Sequence, residues 1–100
     1  MSKVRLKVPP WIACMLNAYS SDWLVLEKEI AEGATIGSLL ADIAISNADF
    51  RKGVFDPDAG QVNSLVNIFL NDSLLQFSEV TEVKLNDGDI LMLLPLYAGG

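Results

Sequence analysis

One hundred residues, 51% of them hydrophobic and 20% charged, suffice for one packed domain and rule out general disorder. Thirteen acidic against seven basic side chains leave a net charge of −6, which argues against nucleic acid or an anionic membrane as a partner and suits a basic groove. A single cysteine, Cys14, and the absence of histidine exclude an internal disulfide, a Cys/His zinc site and any mechanism that needs a histidine base.

Lys3-Val4-Arg5-Leu6-Lys7-Val8 alternates at period two, which predicts a strand with Val4, Leu6 and Val8 inward and Lys3, Arg5 and Lys7 outward. Pro9-Pro10 stops it, and residues 11–21 show no clean period and are expected to loop back. A second strand is expected from Trp23 to Ile30, antiparallel to the first, with Leu24, Leu26 and Ile30 on one face. Lys28 interrupts that face, which predicts a bulge or a fraying end. After the turn Glu32-Gly33-Ala34, Thr35 has the character of an N-cap, and Ile36, Leu39, Leu40 and Ile43 recur at helical spacing. Ser46-Asn47 ends this helix, and a short second helix anchored by Phe50, Val54 and Phe55 follows.

Asp56-Pro57-Asp58-Ala59-Gly60 is a turn with proline at its second position. A third strand is expected from Leu65 to Leu70, a tight turn at Asn71-Asp72, and a short strand from Leu74 to Phe77. Asn86-Asp87-Gly88-Asp89 turns the chain into a last strand, Ile90 to Leu94, which Pro95 ends. One amphipathic helix facing one mixed sheet of four to five strands is an α+β, two-layer domain. Hairpin, crossing helix and returning strands fit the β-grasp arrangement, with the first and last strands side by side at the centre. Residues 1–95 form the expected domain and 96–100 a flexible tail.

Motifs for catalysis are absent: there is no G-x-S-x-G, no P-loop and no H-E-x-x-H. Asp56-x-Asp58-x-Gly60 lacks the glycine position and the final glutamate of a calcium loop and reads as a turn. Neither a metal nor a cofactor is expected. Cys14 lies in an apolar stretch with no cation near it, so a small buried hydrophobe is expected rather than a nucleophile. The stretch 90–98 is broken by Pro95 and falls far short of the ~20 residues that cross a bilayer. No apolar signal run opens the chain, so a cytoplasmic protein is expected.

Two features point outward. Ile90, Met92 and Leu94 alternate with Leu91 and Leu93, so one apolar set must face away from the helix. Either a partner covers that face or residues 11–21 supply a second layer of core; separately, Lys3, Arg5 and Lys7 form a basic stripe, either the solvated face of a strand or a docking stripe beside the exit of the tail. The other feature is Gly99-Gly100. Without Cβ atoms these residues can thread a slot too narrow for any side chain. Five residues beyond Pro95 reach roughly 16–18 Å, far enough to present a carboxylate to another protein's active site.

Asp87-Gly88-Asp89, an apolar strand, Pro95 and Ala98-Gly99-Gly100 resemble the MoaD/ThiS family of small sulfur carriers. Glu32-Gly33-Ala34-Thr35-Ile36 with Leu39-Leu40, the anchors Phe50, Val54 and Phe55, and Leu70-Asn71 extend the resemblance over nearly the whole chain. The ending Pro95-x-x-Ala98-Gly99-Gly100 is more like the molybdopterin synthase small subunit than the shorter thiamine carriers. Leu96, where that subunit often has a second proline, and the long segment 11–21 depart from the pattern. The resemblance implies a ubiquitin-like fold and the role of small subunit of molybdopterin synthase, with no catalytic site expected in this chain itself. It implies adenylation of Gly100 by an E1-like adenylyltransferase and sulfur-transfer enzyme, conversion to a thiocarboxylate, and insertion into the large subunit of molybdopterin synthase. Gly99 would give slenderness, Ala98 and Tyr97 would line the partner's channel, and Ile90, Met92, Leu94 and Pro95 would lie at the docking face. A thiamine-pathway carrier, a modifier forming isopeptide bonds and a plain binding domain with an inert tail are the alternatives.

Overall fold

The computed structural model describes residues 2–16, 21–63, 66–75 and 81–95. Strand β1 (Ser2–Val8) buries Val4, Leu6 and Val8 completely, as its alternation predicts. It pairs antiparallel with β2 (Leu24–Ile30) in an unbroken register from Ser2↔Ile30 to Val8↔Leu24. The bulge expected at Lys28 is not there. Lys28 keeps its place on the inward side, half-buried beside Leu26, Leu39 and Ile43. A lysine is tolerated there because a long aliphatic stem can cover an apolar edge with its ammonium left in water.

The segment expected to loop back after Pro9-Pro10 instead forms helix α1 (Pro10–Met15). Pro10 stands in the first turn, where its missing N–H and fixed φ cost nothing. Six residues are too few to display a helical period, which is why the sequence hides this element. Ile12 and Ala13 turn into the core; Cys14 turns out and is exposed, contrary to the burial expected from its neighbours. Residues 17–20 lie outside the described residues.

Helix α2 (Ile36–Ser46) starts at Thr35 with a reciprocal cap. Thr35 Oγ1 accepts from the Ser38 amide at 3.1 Å, and Ser38 Oγ accepts from the Thr35 amide at 3.0 Å. Two further first-turn amides donate to the chain at 81–83: Ile36 N–H to Val83 O at 2.9 Å and Gly37 N–H to Thr81 O at 3.2 Å. Gly37 permits this approach, since a Cβ there would lie 2.8 Å from Thr81 O. Asn47 closes the helix, its side-chain amide donating to Ile43 O at 2.9 Å. Helix α3 (Ala48–Gly53) follows, with Phe50, Val54 and Phe55 buried as anchors. The turn at 56–60 is flanked by two strands of two residues each, β3 (Phe55–Asp56) and β4 (Gln61–Val62), too short to read in the sequence.

Strands β5 (Val66–Leu70) and β6 (Ser73–Leu75) form the late hairpin. Asn71 and Asp72 both have positive φ, 50° and 71°, which suits a two-residue primed turn. Leu65 at the expected strand start and Gln76-Phe77 at the expected end of the next lie outside the described residues. Strand β7 (Ile90–Pro95) then inserts between β1, to which it is parallel, and β5, to which it is antiparallel. The sheet order is β2-β1-β7-β5-β6, with the first and last strands adjacent as expected. One sheet face and the three helices enclose the core: Leu6, Leu91, Leu93 and Ile68 meet Ile36, Leu40, Phe50 and Ile12. This is the ubiquitin-like β-grasp, an α+β fold.

Candidate functional site: the last strand and the open sheet face

The position of β7 is set before the strand begins. In the 86–89 turn, Asp87 Oδ1 accepts from Lys3 N–H at 2.8 Å, Gly88 N–H donates to Lys3 O at 2.8 Å, and Arg5 N–H donates to Asp89 O at 2.9 Å. Gly88 has φ +88°, a conformation that glycine adopts without penalty. Asp89 Oδ2 accepts from Asn86 N–H at 2.7 Å, and Asp89 Oδ1 accepts from Asn71 Nδ2 at 3.0 Å. Asn71 Oδ1 in turn accepts from Ile90 N–H at 2.9 Å. Two turns are thus tied to the first residue of the last strand. A slip of one residue would exchange its faces.

With that register, Leu91 and Leu93 are fully buried, and Ile90, Met92 and Leu94 lie on the opposite side. Paired residues of neighbouring strands project to the same face. One row across the sheet is therefore Val25, Lys7, Met92, Phe69 and Leu74. The adjoining rows hold Glu27, Arg5 and Ile90 on one side and Leu94 and Asn67 on the other. Val25 is 49% exposed, Leu74 57% and Ile90 37%, so the face is open to solvent and apolar. Helix α1 packs into the same core as α2 and α3, so residues 10–16 do not form a second layer over it.

Ile90, Met92 and Leu94 are brought together, and the backbone of Pro95 closes the ladder opposite Val66. Tyr97, Ala98, Gly99 and Gly100 lie outside the described residues. Phe69 and Leu74 belong to the same face and were missed in reading the sequence. The signal was present: pairing outward from Asn71-Asp72 sets Phe69 against Leu74, and inward Val66 and Ile68 leave Phe69 outward. Among the described residues no group of three or more Cys, Asp or Glu side chains could hold a metal, and no helix is long and apolar enough to cross a membrane.

Comparison with known proteins agrees with this fold. The family model described as "ThiS family" matches residues 15–100. The sulfur carrier protein CysO of Mycobacterium tuberculosis is 32% identical over 71 residues, covering 70% of this chain and 76% of that protein. The small archaeal modifier protein 1 of H. volcanii superposes with a TM-score of 0.72 at 18% identity, covering 95% of this chain and 98% of that one. A putative molybdopterin converting factor, subunit 1, from Pyrococcus furiosus does so with a TM-score of 0.69 at 23% identity, again covering 95% and 98%. The chain belongs to the ThiS family of ubiquitin-like sulfur carriers.

Proposed function

We propose that this chain carries sulfur on Gly100 as a thiocarboxylate, and that its folded part serves to dock that carbonyl in partner enzymes. The Gly100 carboxylate attacks the α-phosphate of ATP in an E1-like adenylyltransferase, giving an acyl-adenylate and pyrophosphate. A sulfide-level sulfur then attacks the acyl carbon and AMP leaves, so the C–O bond to AMP is exchanged for C–S with no net redox change. Gly99 and Gly100 pass the narrow part of the partner's channel, and Tyr97 and Ala98 line its mouth. Ile90, Met92 and Leu94, with Pro95 at the strand end, form the surface against which the partner closes. The acceptor we assign is the pterin precursor of the molybdenum cofactor, reached when the tail enters the large subunit of molybdopterin synthase. That assignment rests on the ending Pro95-x-x-Ala98-Gly99-Gly100.

The observation that carries the reading is the family match running through Gly100, on a fold whose last strand ends at Pro95, five positions before it in the sequence. The 32% identity to a protein named as a sulfur carrier supports the carrier chemistry rather than the pterin acceptor. Intact-mass spectrometry of the chain from cells making the cofactor tests it. The expected species gains one sulfur-for-oxygen exchange at Gly100. A free carboxylate alone counts against the carrier, and covalent ladders that survive denaturant indicate a modifier instead. Sulfur transfer to the pterin precursor in a reconstituted synthase tests the acceptor separately.

A further inference from the structure

We infer that the partner closing on the open sheet face must set a carboxylate opposite Lys7, inside an otherwise apolar contact, so that Lys7 selects the partner while its neighbours hold it. This rests on the carrier reading above and adds to it the chemistry of the partner's surface. The three cations of β1 are not equivalent. Lys3 lies directly opposite Glu29, and Arg5 directly opposite Glu27. Lys7 lies between Val25 on one side and Met92 on the other, in the row that continues through Phe69 and Leu74. Its closest carboxylate in the register is Glu27, one diagonal step away and already opposite Arg5. Lys7 is half-buried even without a partner.

Covering this row strips water from the ammonium, and an ammonium buried without an acceptor opposes the contact that the apolar side chains favour. A facing carboxylate removes that opposition and converts the position into a filter: a neutral or basic partner surface is rejected, an acidic one accepted. A second copy of this chain does not meet the requirement. The carboxylates that the strands of this face offer, Glu27 and Glu29, already lie opposite Arg5 and Lys3, and a two-fold axis through Lys7 would set like charges together. The occupant is therefore a different protein, presenting an apolar ridge with one acidic side chain. The net charge of −6 still favours basic groups around the rim of that protein's site.

The test is ATP–pyrophosphate exchange by the E1-like enzyme of the same organism, with the carrier concentration varied. Lys7→Glu is expected to raise KM about tenfold, about 1.4 kcal/mol, with kcat nearly unchanged. Lys7→Met is expected to raise KM less than Lys7→Glu and to weaken the dependence of KM on salt. Lys52→Glu, exposed on α3 in the helical layer, makes the same two-unit change in net charge and is expected to leave KM unchanged. An acidic-to-lysine exchange on the enzyme's docking ridge is expected to restore Lys7→Glu. Exchange with the wild type and an unaltered KM for Lys7→Glu overturns this inference alone. A wild-type dimer in sedimentation that disperses on Lys7→Glu also overturns it. No exchange with the wild type overturns the carrier reading and this inference with it.

Discussion

Replacing Asn71 by alanine tests whether the turn at 71–72 sets the start of the last strand. The side chain makes two hydrogen bonds, accepting from Ile90 N–H at 2.9 Å and donating to Asp89 Oδ1 at 3.0 Å. Asn71 is exposed, so each bond belongs at the low end of the usual range, about 0.5 kcal/mol. The backbone there has φ 50°, which alanine adopts at a cost of about 1 kcal/mol more than asparagine. Together these give a loss of about 2 kcal/mol, or roughly 8–15 °C in Tm for a domain of this size. Asn71→Gly removes the same bonds but accepts the positive φ, so it is expected to lose about 1 kcal/mol less than the alanine variant. Urea denaturation followed by tryptophan fluorescence measures both, and amide exchange at Ile90 reports the local opening. An alanine variant within about 0.5 kcal/mol of the wild type, or a glycine variant no better than it, refutes the reasoning.

Gly37→Ala should lose about 1–3 kcal/mol despite alanine's better helix propensity, because its Cβ would meet Thr81 O at 2.8 Å; denaturant midpoints measure this. Thr35→Ala should lose about 1 kcal/mol by breaking the reciprocal cap with Ser38, with a matching fall in Tm. Asp58→Asn should change stability by less than about 1 kcal/mol, since its ion pair with Arg51 is exposed at both ends. Gly99→Val should leave the unfolding curve unchanged while ending acyl-adenylate formation, read as loss of ATP–pyrophosphate exchange. A marked fall in its Tm would mean that the tail is packed against the domain.

How much of this was legible depended on element length and on which face was buried. The alternation of Val4, Leu6 and Val8 and the spacing of Ile36, Leu39, Leu40 and Ile43 each repeat often enough to declare their period, and both elements are found as read. Helix α1 and the hairpin β3–β4 are too short to repeat anything. Lys28 misled for another reason. A single cation on an apolar face suggests a fault in the strand, whereas a lysine stem can take a hydrophobe's place at an edge, and Lys28 keeps the register half-buried. Cys14 misled because neighbours in sequence do not share a helix face: Ala13 turns in and Cys14 turns out. The open face was half legible. That one apolar set of the last strand faces outward followed from the alternation; the family resemblance named Ile90, Met92 and Leu94, and the physical reason it is that set is the register, held by Asn71, Asp87 and Asp89 from elsewhere in the chain.

The same register explains why the tail is attached where it is. On the β1 side, pairing of β7 ends at Lys7↔Met92. Just beyond, Pro9 supplies no amide to a ladder and Pro10 starts α1, so β1 leaves the sheet. On the β5 side the pairing continues three residues further, to Val66↔Pro95. The stretch Leu93-Leu94-Pro95 is therefore bonded along one edge by β5 and anchored inward by fully buried Leu93. In the proposed carrier role this division has two consequences. A partner that draws on the tail pulls along the strand, which loads the ladder from Val66 to Leu70 as a whole rather than one bond at a time. Among the described residues no strand pairs with β7 on the β1 side beyond Met92, and in the proposed carrier role that side of Leu94-Pro95 is where a partner's channel wall would meet the backbone.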